Sequence, residues 1–317
     1  MLEKKIQQVL DPHHRNWVQG GVFRELREES NCFNSTPIYL PPPNSIKNLG
    51  NYLEILREIR KLPLLLFSSL TPLENYLRFM KKPHSQVIGL WFTHKEGEFN
   101  SREIRCLRST DVIFLHSNHQ SLKLREVTSS KQVEILAAID PERFSRPSIQ
   151  KPRIVWVGTA VERKRPTFLL KLASELSSEE FLILGKRWSE SKYWKTVNGL
   201  KNIRYEELSG ALTSEILDGN DIFLMTSEIE GGPMPLLESL AAGLTPICTN
   251  TGFVERLFLE LGIDSRLIVE PEIQAIKDTI SLIRSGEIYL PFNARSKTLE
   301  FNFDKLSKII HNALLAN

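Results

Sequence analysis

Short apolar runs alternate with amphipathic runs along almost the whole chain, which predicts strands followed by helices. The second helical segment shows the period directly, because Ile55, Leu56, Ile59 and Leu62 recur at helical spacing. Predicted strands lie at 4–10, 37–40, 63–69, 87–93, 111–117, 133–138, 153–158, 181–185, 220–227 and 244–249. Predicted helices lie at 21–29, 51–62, 72–82, 101–109, 119–127, 166–176, 235–243, 272–286 and 303–315. This alternation is typical of parallel α/β sheets with helices on both faces.

One segment interrupts the alternation and indicates a domain linker. Residues 140–153 hold three prolines and several charges but no apolar period. The sequence therefore predicts two doubly wound α/β domains, 1–148 and 149–317, with the last helix, 303–317, as a segment that can pack back on the first domain. Ligands of such sheets bind beyond the carboxyl ends of the strands, so the loops that follow strands are expected to carry the chemistry.

Composition narrows the function classes without pointing to one. The chain has 317 residues and a net charge of +3, which is too weakly basic to indicate a nucleic-acid partner. Cys32, Cys106 and Cys248 are far apart and form no C-x-x-C motif, so a reduced, cytoplasmic chain without disulfides is expected. The start has no apolar signal-peptide core and no apolar run is long enough to span a bilayer, so any membrane contact is expected to be peripheral.

The stretch EIEGGPMPLLESLAAG, residues 228–243, places two carboxylates on either side of a segment that is rich in glycine and proline. Its helix is predicted to begin near Pro233 and to end before Gly243, because proline is tolerated in a first turn and glycine is favoured just past a helix end. Glu230 is therefore expected in the loop and Glu238 in about the first turn of the helix. Both would lie at the carboxyl edge of the sheet.

This loop has the donors and acceptors that a nucleotide sugar needs. Gly231 and Gly232 allow a ligand to approach the backbone, and their amides together with a helix N-terminus suit anionic groups. Two carboxylates suit a ligand with many hydroxyl donors. Taken alone, the segment fits equally well a plain strand–turn–helix joint with two solvated glutamates.

The stretch resembles the donor-site signature of retaining glycosyltransferases of family 4: Glu230, seven residues, Glu238, and a small-residue helix that ends in glycine. The segment NTGFVE resembles that family's glycine loop, with Gly252 and Glu255 at the matching places. Further likenesses to the same family lie at 19–26, 135–144, 156–166 and 301–315, and the resemblance is strong over 153–256 and weaker in the N-terminal half.

The resemblance implies the GT-B fold, in which two Rossmann-like domains face an interdomain cleft and the second domain binds the nucleotide sugar. It implies that Glu238 holds the donor ribose hydroxyls, that Glu230 contacts the donor sugar, and that Lys164 binds phosphate. It further implies that backbone amides of the loop meet the sugar and phosphates. This loop comprises Gly231, Gly232, Pro233 and Met234.

Some positions depart from the family pattern. Thr159 stands where the family usually has an arginine, and Arg163, beside Lys164, is the candidate to supply that charge through two parallel N–H bonds. Pro233 stands where glycine is frequent. The pair Lys186 and Arg187 replaces a frequent glycine turn. These departures affect the detailed donor contacts and leave the donor class unchanged.

Three further features of the first domain are candidates. His94 ends a predicted strand where a family histidine points at the donor sugar, although a packed or solvated histidine fits the position too. Gly20 and Gly21 follow the first strand and could admit a phosphate or sugar, or could simply start a helix. His116 and His119 are three apart, but no Cys or carboxylate cluster accompanies them, so no metal site is predicted.

The predicted reaction is sugar transfer from a nucleoside-diphosphate sugar to an acceptor hydroxyl, with no metal and no other cofactor. Lys164, Arg163 and the loop amides would stabilise the charge on the diphosphate. The acceptor is expected to be a glycan or a lipid-linked glycan, in surface polysaccharide or glycolipid synthesis. The chain is expected in the cytoplasm, with possible contact at the inner face of the membrane through the basic segments 80–83 and 123–125.

Two alternatives stay open. The first is a sugar-nucleotide epimerase on the same fold, which needs acid and base groups from both domains. The second is a non-catalytic nucleotide-sugar-binding protein that retains the donor pocket. A dinucleotide-dependent oxidoreductase is disfavoured, because no G-x-G-x-x-G follows an early strand.

Overall fold

The structure is a computed structural model that describes residues 4–12, 18–42, 49–93, 95, 97–208 and 211–317. Within these residues the strands are β1 (Gln7–Leu10), β2 (Ile38–Tyr39), β3 (Leu64–Phe67), β4 (Val87–Phe92), β5 (Val112–Leu115), β6 (Lys131–Glu134), β7 (Ile154–Val157), β8 (Phe181–Gly185), β9 (Ile203–Glu207), β10 (Ile222–Met225) and β11 (Thr245–Cys248). The helices are α1 (Val18–Glu28), α2 (Leu49–Lys61), α3 (Leu70–Phe79), α4 (Ser101–Arg108), α5 (Asn118–Arg125), α6 (Pro166–Glu175), α7 (Trp194–Gly199), α8 (Ser214–Leu217), α9 (Met234–Ala242), α10 (Val254–Leu261), α11 (Ile273–Arg284), α12 (Ala294–Leu299) and α13 (Phe303–Leu315).

The chain forms two compact units, each built on a parallel sheet. The first unit, Met1–Ala138 with Phe303–Asn317, has a sheet ordered β2-β1-β3-β4-β5-β6. The second unit, Ile139–Asn302, has a sheet ordered β11-β10-β7-β8-β9. The central strands are buried along their whole length, which explains why they read as continuous apolar runs. The prediction of two Rossmann-like α/β units is confirmed.

The closing helix α13 belongs to the first unit. It packs on α1, β4 and β5, and its Leu314 lies so close to Gly89 of β4 that a Cβ there would come within 2.9 Å of the leucine. His311 donates from Nε2 to the carbonyl of Lys4, 2.8 Å away. An apolar stripe on α13 therefore covers the first sheet although 164 residues of the second unit separate it from β6 in sequence.

The boundary between the units falls at Ala138, earlier than the residue 148 expected from composition. The proline-rich segment 140–153 is bonded into the second unit, because Ser148 donates its N–H to the carbonyl of Ala242 and Ile149 donates to Asp218. Charge and proline content made the segment look like a free linker, whereas its backbone donors are satisfied on the second unit. The chain enters the second unit at Ile139 and leaves it at Asn302. These two points are adjacent, since Ile139 pairs with Asn302 and donates its N–H to the carbonyl of Phe301.

Several elements of the described chain differ from the prediction. The strand expected at 133–138 ends at Glu134, although Ile135 still donates its N–H to the carbonyl of Leu115, and the buried residues 136–138 that follow are coil. Strand β9 was not predicted because it is a half-exposed edge strand with the sequence IRYEE. Helix α10 was also missed, although Val254, Leu257, Phe258 and Leu261 form a buried helical stripe. Among the described residues, no helix combines the length and the apolar character required to cross a membrane.

Candidate functional site

The loop between β10 and α9 adopts the local structure that its prolines and glycines predict. Helix α9 runs over Met234–Ala242 with Pro235 in its first turn. Gly243 follows the helix at φ 90°, where its N–H donates to the carbonyls of Leu240 and Ser239. Glu230 consequently lies in the loop at the carboxyl edge of the sheet, and Glu238 lies in α9, one turn later than its start.

Glu230 forms an ion cluster with the two cations that the sequence singled out. Its Oε1 lies 2.5 Å from Lys164 Nζ, and its Oε2 lies 3.2 Å from Arg163 Nη1. Both cations come from the 3-10 turn Glu162–Lys164, which follows β7, the neighbour of β10 in the sheet. The Glu230 residue is only 8% exposed, so the carboxylate is withdrawn from water.

Backbone bonds hold the two loops of this cluster together. Glu228 donates its N–H to the carbonyl of Arg163 at 2.7 Å, and the Arg163 guanidinium donates to the carbonyl of Ile229 at 3.0 Å. The N–H of Glu230 donates to the hydroxyl of Thr251, which belongs to the loop after β11. The cations are thus positioned before any ligand arrives, a condition for effective electrostatic stabilisation.

The cluster keeps Glu230 ionised. Burial by itself would raise the pKa of Glu230, but Lys164 and Arg163, with a hydrogen bond from Ser227, outweigh it and hold the pKa below its ordinary value. Two cations and one carboxylate leave one excess positive charge. The edge of the sheet therefore attracts an anion even while Glu230 is in place.

Glu238 has a different environment from Glu230. It is 9% exposed, and burial raises its pKa to about 7, opposed by the Arg143 guanidinium and by the N–H of Leu212. Arg143 belongs to the 3-10 helix Pro141–Phe144, which is capped by Asp140 and packs against α9. Near neutral pH this carboxyl titrates, and hydroxyl donors from a ligand would favour its ionised form. Arg143 lies in the predicted linker, 140–153, and no site role was predicted for it.

The loop backbone offers fewer donors than the sequence indicated. Pro233 has no N–H, and Met234 donates its own N–H to the carbonyl of Gly232 at 2.8 Å. Gly231 and Gly232 donate to no backbone carbonyl within the part of the chain that the structure describes. Pro233 therefore cannot contribute an amide, and the expected ligand contacts of Gly231, Gly232 and Met234 stay predictions.

The loop after β11 packs directly on this segment. Gly252 has φ 63°, and a Cβ on it would lie 2.8 Å from Pro233 Cδ and 3.2 Å from the carbonyl oxygen of Gly231. Only glycine satisfies both the backbone conformation and the close approach. Glu255 lies in the first turn of α10 with an exposed side chain.

The neighbouring strand ends carry the positions that depart from the family pattern. Thr159 is exposed at the end of β7, and Lys186 and Arg187 are exposed just after β8. Arg187 adopts φ 63°, a left-handed conformation that glycine would accept without strain. Arg187 therefore adopts a backbone conformation that favours glycine, at a place where the resemblance implies a glycine turn.

The remaining candidates, His94, Gly20 and Gly21, belong to the first unit. His94 lies outside the described residues. Gly20 and Gly21 lie within α1, which begins at Val18, and not in a loop ahead of a helix. Their expected contact with a phosphate or sugar stays a prediction.

His116 is a structural histidine. Its Nδ1 donates to the carbonyl of Ile135 at 3.0 Å, and its ring packs edge-on against Trp91 at 5.1 Å. Burial lowers the pKa of His116 to about 4, so it stays neutral. His119 is exposed on α5, and the described residues contain no group of three His, Cys, Asp or Glu that could hold a metal ion.

Comparisons with solved structures show the fold. HepE from Anabaena, in complex with UDP and glucose, aligns with a TM-score of 0.75 at 11% identity over 99% of this chain and 100% of that chain. A glycosyltransferase from Rickettsia africae aligns with a TM-score of 0.72 at 15% identity over 100% of both chains. The apo form of the lipopolysaccharide outer core galactosyltransferase WaaB aligns with a TM-score of 0.67 at 15% identity, over 98% of this chain and 99% of that one. The fold of the chain is GT-B.

Sequence comparison gives a family but no near relative. No curated protein matches the sequence significantly. The family model for glycosyl transferases group 1 matches residues 139–297, which is 159 of the 317 residues and contains the whole Glu230 cluster and Glu238. Because the match covers half of the chain, the chain belongs to the glycosyl transferases group 1 family.

Proposed function

We propose that the chain is a retaining glycosyltransferase, of the family 4 type, that moves a sugar from a nucleoside diphosphate to an acceptor hydroxyl. The observation that carries the proposal is the buried cluster of Glu230 with Lys164 and Arg163 at the carboxyl edge of the second sheet. Family membership supports it. The complex of the structural neighbour HepE with UDP and glucose makes a uridine nucleotide the first donor to test.

The main contribution of the protein to this reaction would be to stabilise the negative charge on the leaving group. As the bond between the sugar and the diphosphate breaks, negative charge builds on the diphosphate, and Lys164 and Arg163 would receive it. The amides of Gly231 and Gly232 and the N-terminal end of α9 would add fixed dipoles. Preorganised donors of this kind are each worth about 3 kcal/mol of transition-state stabilisation. The departing phosphate would accept the proton of the acceptor hydroxyl.

The two glutamates would divide the donor hydroxyls between them. Glu238 would accept hydrogen bonds from the ribose, and Glu230 would accept them from the transferred sugar. We propose retention of the anomeric configuration and a reaction that needs no added metal, because the two cations supply the positive charge. The proposed acceptor is a glycan or lipid-linked glycan, and the proposed setting is the cytoplasmic face of a membrane.

A donor panel tests the function. We expect the purified chain, in the presence of EDTA, to release nucleoside diphosphate from one UDP-, GDP- or ADP-sugar, slowly without an acceptor and faster with a suitable glycan. Chromatography of the products would follow both the nucleotide and the sugar. A changed sugar stereocentre would instead support the epimerase, and binding without turnover would support the non-catalytic binder. No binding of any donor would contradict all three.

Removal of Lys164 tests the role of the cluster. Lys164→Met keeps the apolar stem but removes the ammonium, and we expect kcat to fall about 10²-fold or more, because one preorganised charge is lost from the transition state. Lys171→Met, an exposed lysine on α6, is the matched control and should keep the kcat of the parent. Circular dichroism would verify folding of both. A fall in kcat of less than threefold for Lys164→Met would remove Lys164 from the proposed chemistry.

A further inference from the structure

The proposed diphosphate-binding cations are paired with a carboxylate in this structure. Lys164 Nζ lies 2.5 Å from Glu230 Oε1, and Arg163 Nη1 lies 3.2 Å from Glu230 Oε2. The side chains of Lys164 and Glu230 are 12% and 9% exposed, so little water is present to screen or replace this pairing. The contact is therefore a largely buried ion pair and not a solvent-screened surface pair.

A diphosphate and this carboxylate compete for the same donors. Each phosphate of a donor carries negative charge and needs N–H donors, and a Lys164 ammonium that is already neutralised by Glu230 attracts a phosphate less strongly. Like charges crowded into one buried site would repel each other. This repulsion favours displacement of Glu230 from Lys164 when a diphosphate binds, and the displaced carboxylate then needs other hydrogen-bond donors.

The transferred sugar of a donor offers such donors beside the diphosphate, whereas a free nucleoside diphosphate has hydroxyls only on its ribose, which is proposed to bind Glu238. Sugar hydroxyls can bond to the released carboxylate, so a donor offsets the cost of opening the ion pair. After transfer, the nucleoside diphosphate remains without those hydroxyls, and the carboxylate is again left without partners. The ion pair thus favours the donor over the spent nucleotide.

We propose that Glu230 is an exchangeable counter-anion, which the diphosphate of the donor displaces from Lys164 and which returns to Lys164 to expel the nucleoside diphosphate after transfer. This inference rests on the proposed function. It assigns Glu230 a role in product release in addition to any contact with the sugar. Its consequence is weak inhibition by the product.

Binding of sugar-free anions tests the proposal. The probes are UDP, GDP, ADP and inorganic pyrophosphate, measured by titration calorimetry against the wild type and Glu230→Gln. We expect the variant to bind its preferred nucleoside diphosphate and pyrophosphate about tenfold more tightly, because no ion pair has to open, while affinity for the sugar donor does not rise in parallel. Glu228→Gln is the matched control, since it removes one exposed charge from the same loop, and it should change these affinities less than twofold.

A double variant identifies the cation involved. The gain in affinity from Glu230→Gln should shrink in a Lys164→Met background, because the gain arises from freeing Lys164. Equal or weaker binding of pyrophosphate by Glu230→Gln, in a variant that circular dichroism shows to be folded, would overturn the counter-anion role. If pyrophosphate binds more tightly but no nucleoside diphosphate binds to either protein, the counter-anion role stands and the proposed function fails.

Discussion

Replacing Glu238 with glutamine is expected to stabilise the ligand-free protein above pH 7 while it raises the KM for the donor at least about tenfold. Burial raises the pKa of Glu238 from an ordinary value of 4.5 to about 7. Between these two values the folded carboxyl keeps its proton and the unfolded one has lost it, so the free energy of unfolding falls as the pH rises. Above pH 7 the folded state carries the whole cost of the buried charge, about 3 kcal/mol.

Glutamine keeps the shape of Glu238 without the charge, so the variant should escape this cost. Urea denaturation at pH 8 should show the variant to be more stable than the parent by up to about 3 kcal/mol, and the difference should shrink toward pH 4.5. Glu255→Gln, at an exposed position on α10, should show no such pH-dependent gain. Parallel stability profiles for the parent and Glu238→Gln would contradict the raised pKa. An unchanged donor KM in Glu238→Gln or Glu238→Ala would contradict the ribose contact.

Gly185→Ala is expected to destabilise the second unit by about 3 kcal/mol or more, at the upper end of overpacking effects. A Cβ at this position would lie 1.9 Å from the carbonyl oxygen of Gly158 and 2.8 Å from its carbonyl carbon. Both are main-chain atoms at the end of β7, and the oxygen is held by a 2.8 Å hydrogen bond from Trp188 Nε1. Neither strand can move aside without breaking the ladder between β7 and β8.

The control for this variant is Gly199→Ala, at the end of α7. A Cβ there would meet no atom within 4 Å, so the change should be neutral or should stabilise the protein by up to about 1 kcal/mol. Chemical denaturation of both variants, followed by circular dichroism, gives the comparison. Equal stability of Gly185→Ala and the parent would mean that the ends of β7 and β8 are farther apart than the structure places them.

The sequence predicted the buried elements well and the edge elements poorly. The strand at 181–185 matches β8 residue for residue, because parallel strands with helices on both faces must be apolar throughout. The bounds of α9 followed from Pro235 and Gly243, whose backbone requirements are local. Strand β9 left no such signal, since an edge strand buries few side chains. The prediction of a strand over 135–138 was wrong, because these residues are apolar and buried but lie outside any strand.

For the site, residue types were predictable and pairings were not. Carboxyl ends of parallel strands meet at one edge, which was enough to place Lys164 and Glu230 in the same region. Their 2.5 Å contact depends on β7 and β10 being neighbours, an order fixed by crossovers and not by local sequence. The opposite pKa shifts of Glu230 and Glu238 could not be predicted from the sequence either. Burial favours a raised pKa at both residues, but only at Glu230 do cations outweigh it, chief among them Lys164, which lies 66 positions away along the chain.

The pairing of Ile139 with Asn302 has a practical consequence for dissection of the molecule. The two ends of the second unit lie side by side, so 139–302 is one continuous piece of chain whose termini coincide in space. The first unit is assembled from two separate pieces, Met1–Ala138 and Phe303–Asn317. Expression of the first unit alone therefore requires a short peptide that joins Ala138 to Phe303. Truncation after Ala138 would instead remove α13 and expose the apolar surface of the sheet that this helix covers.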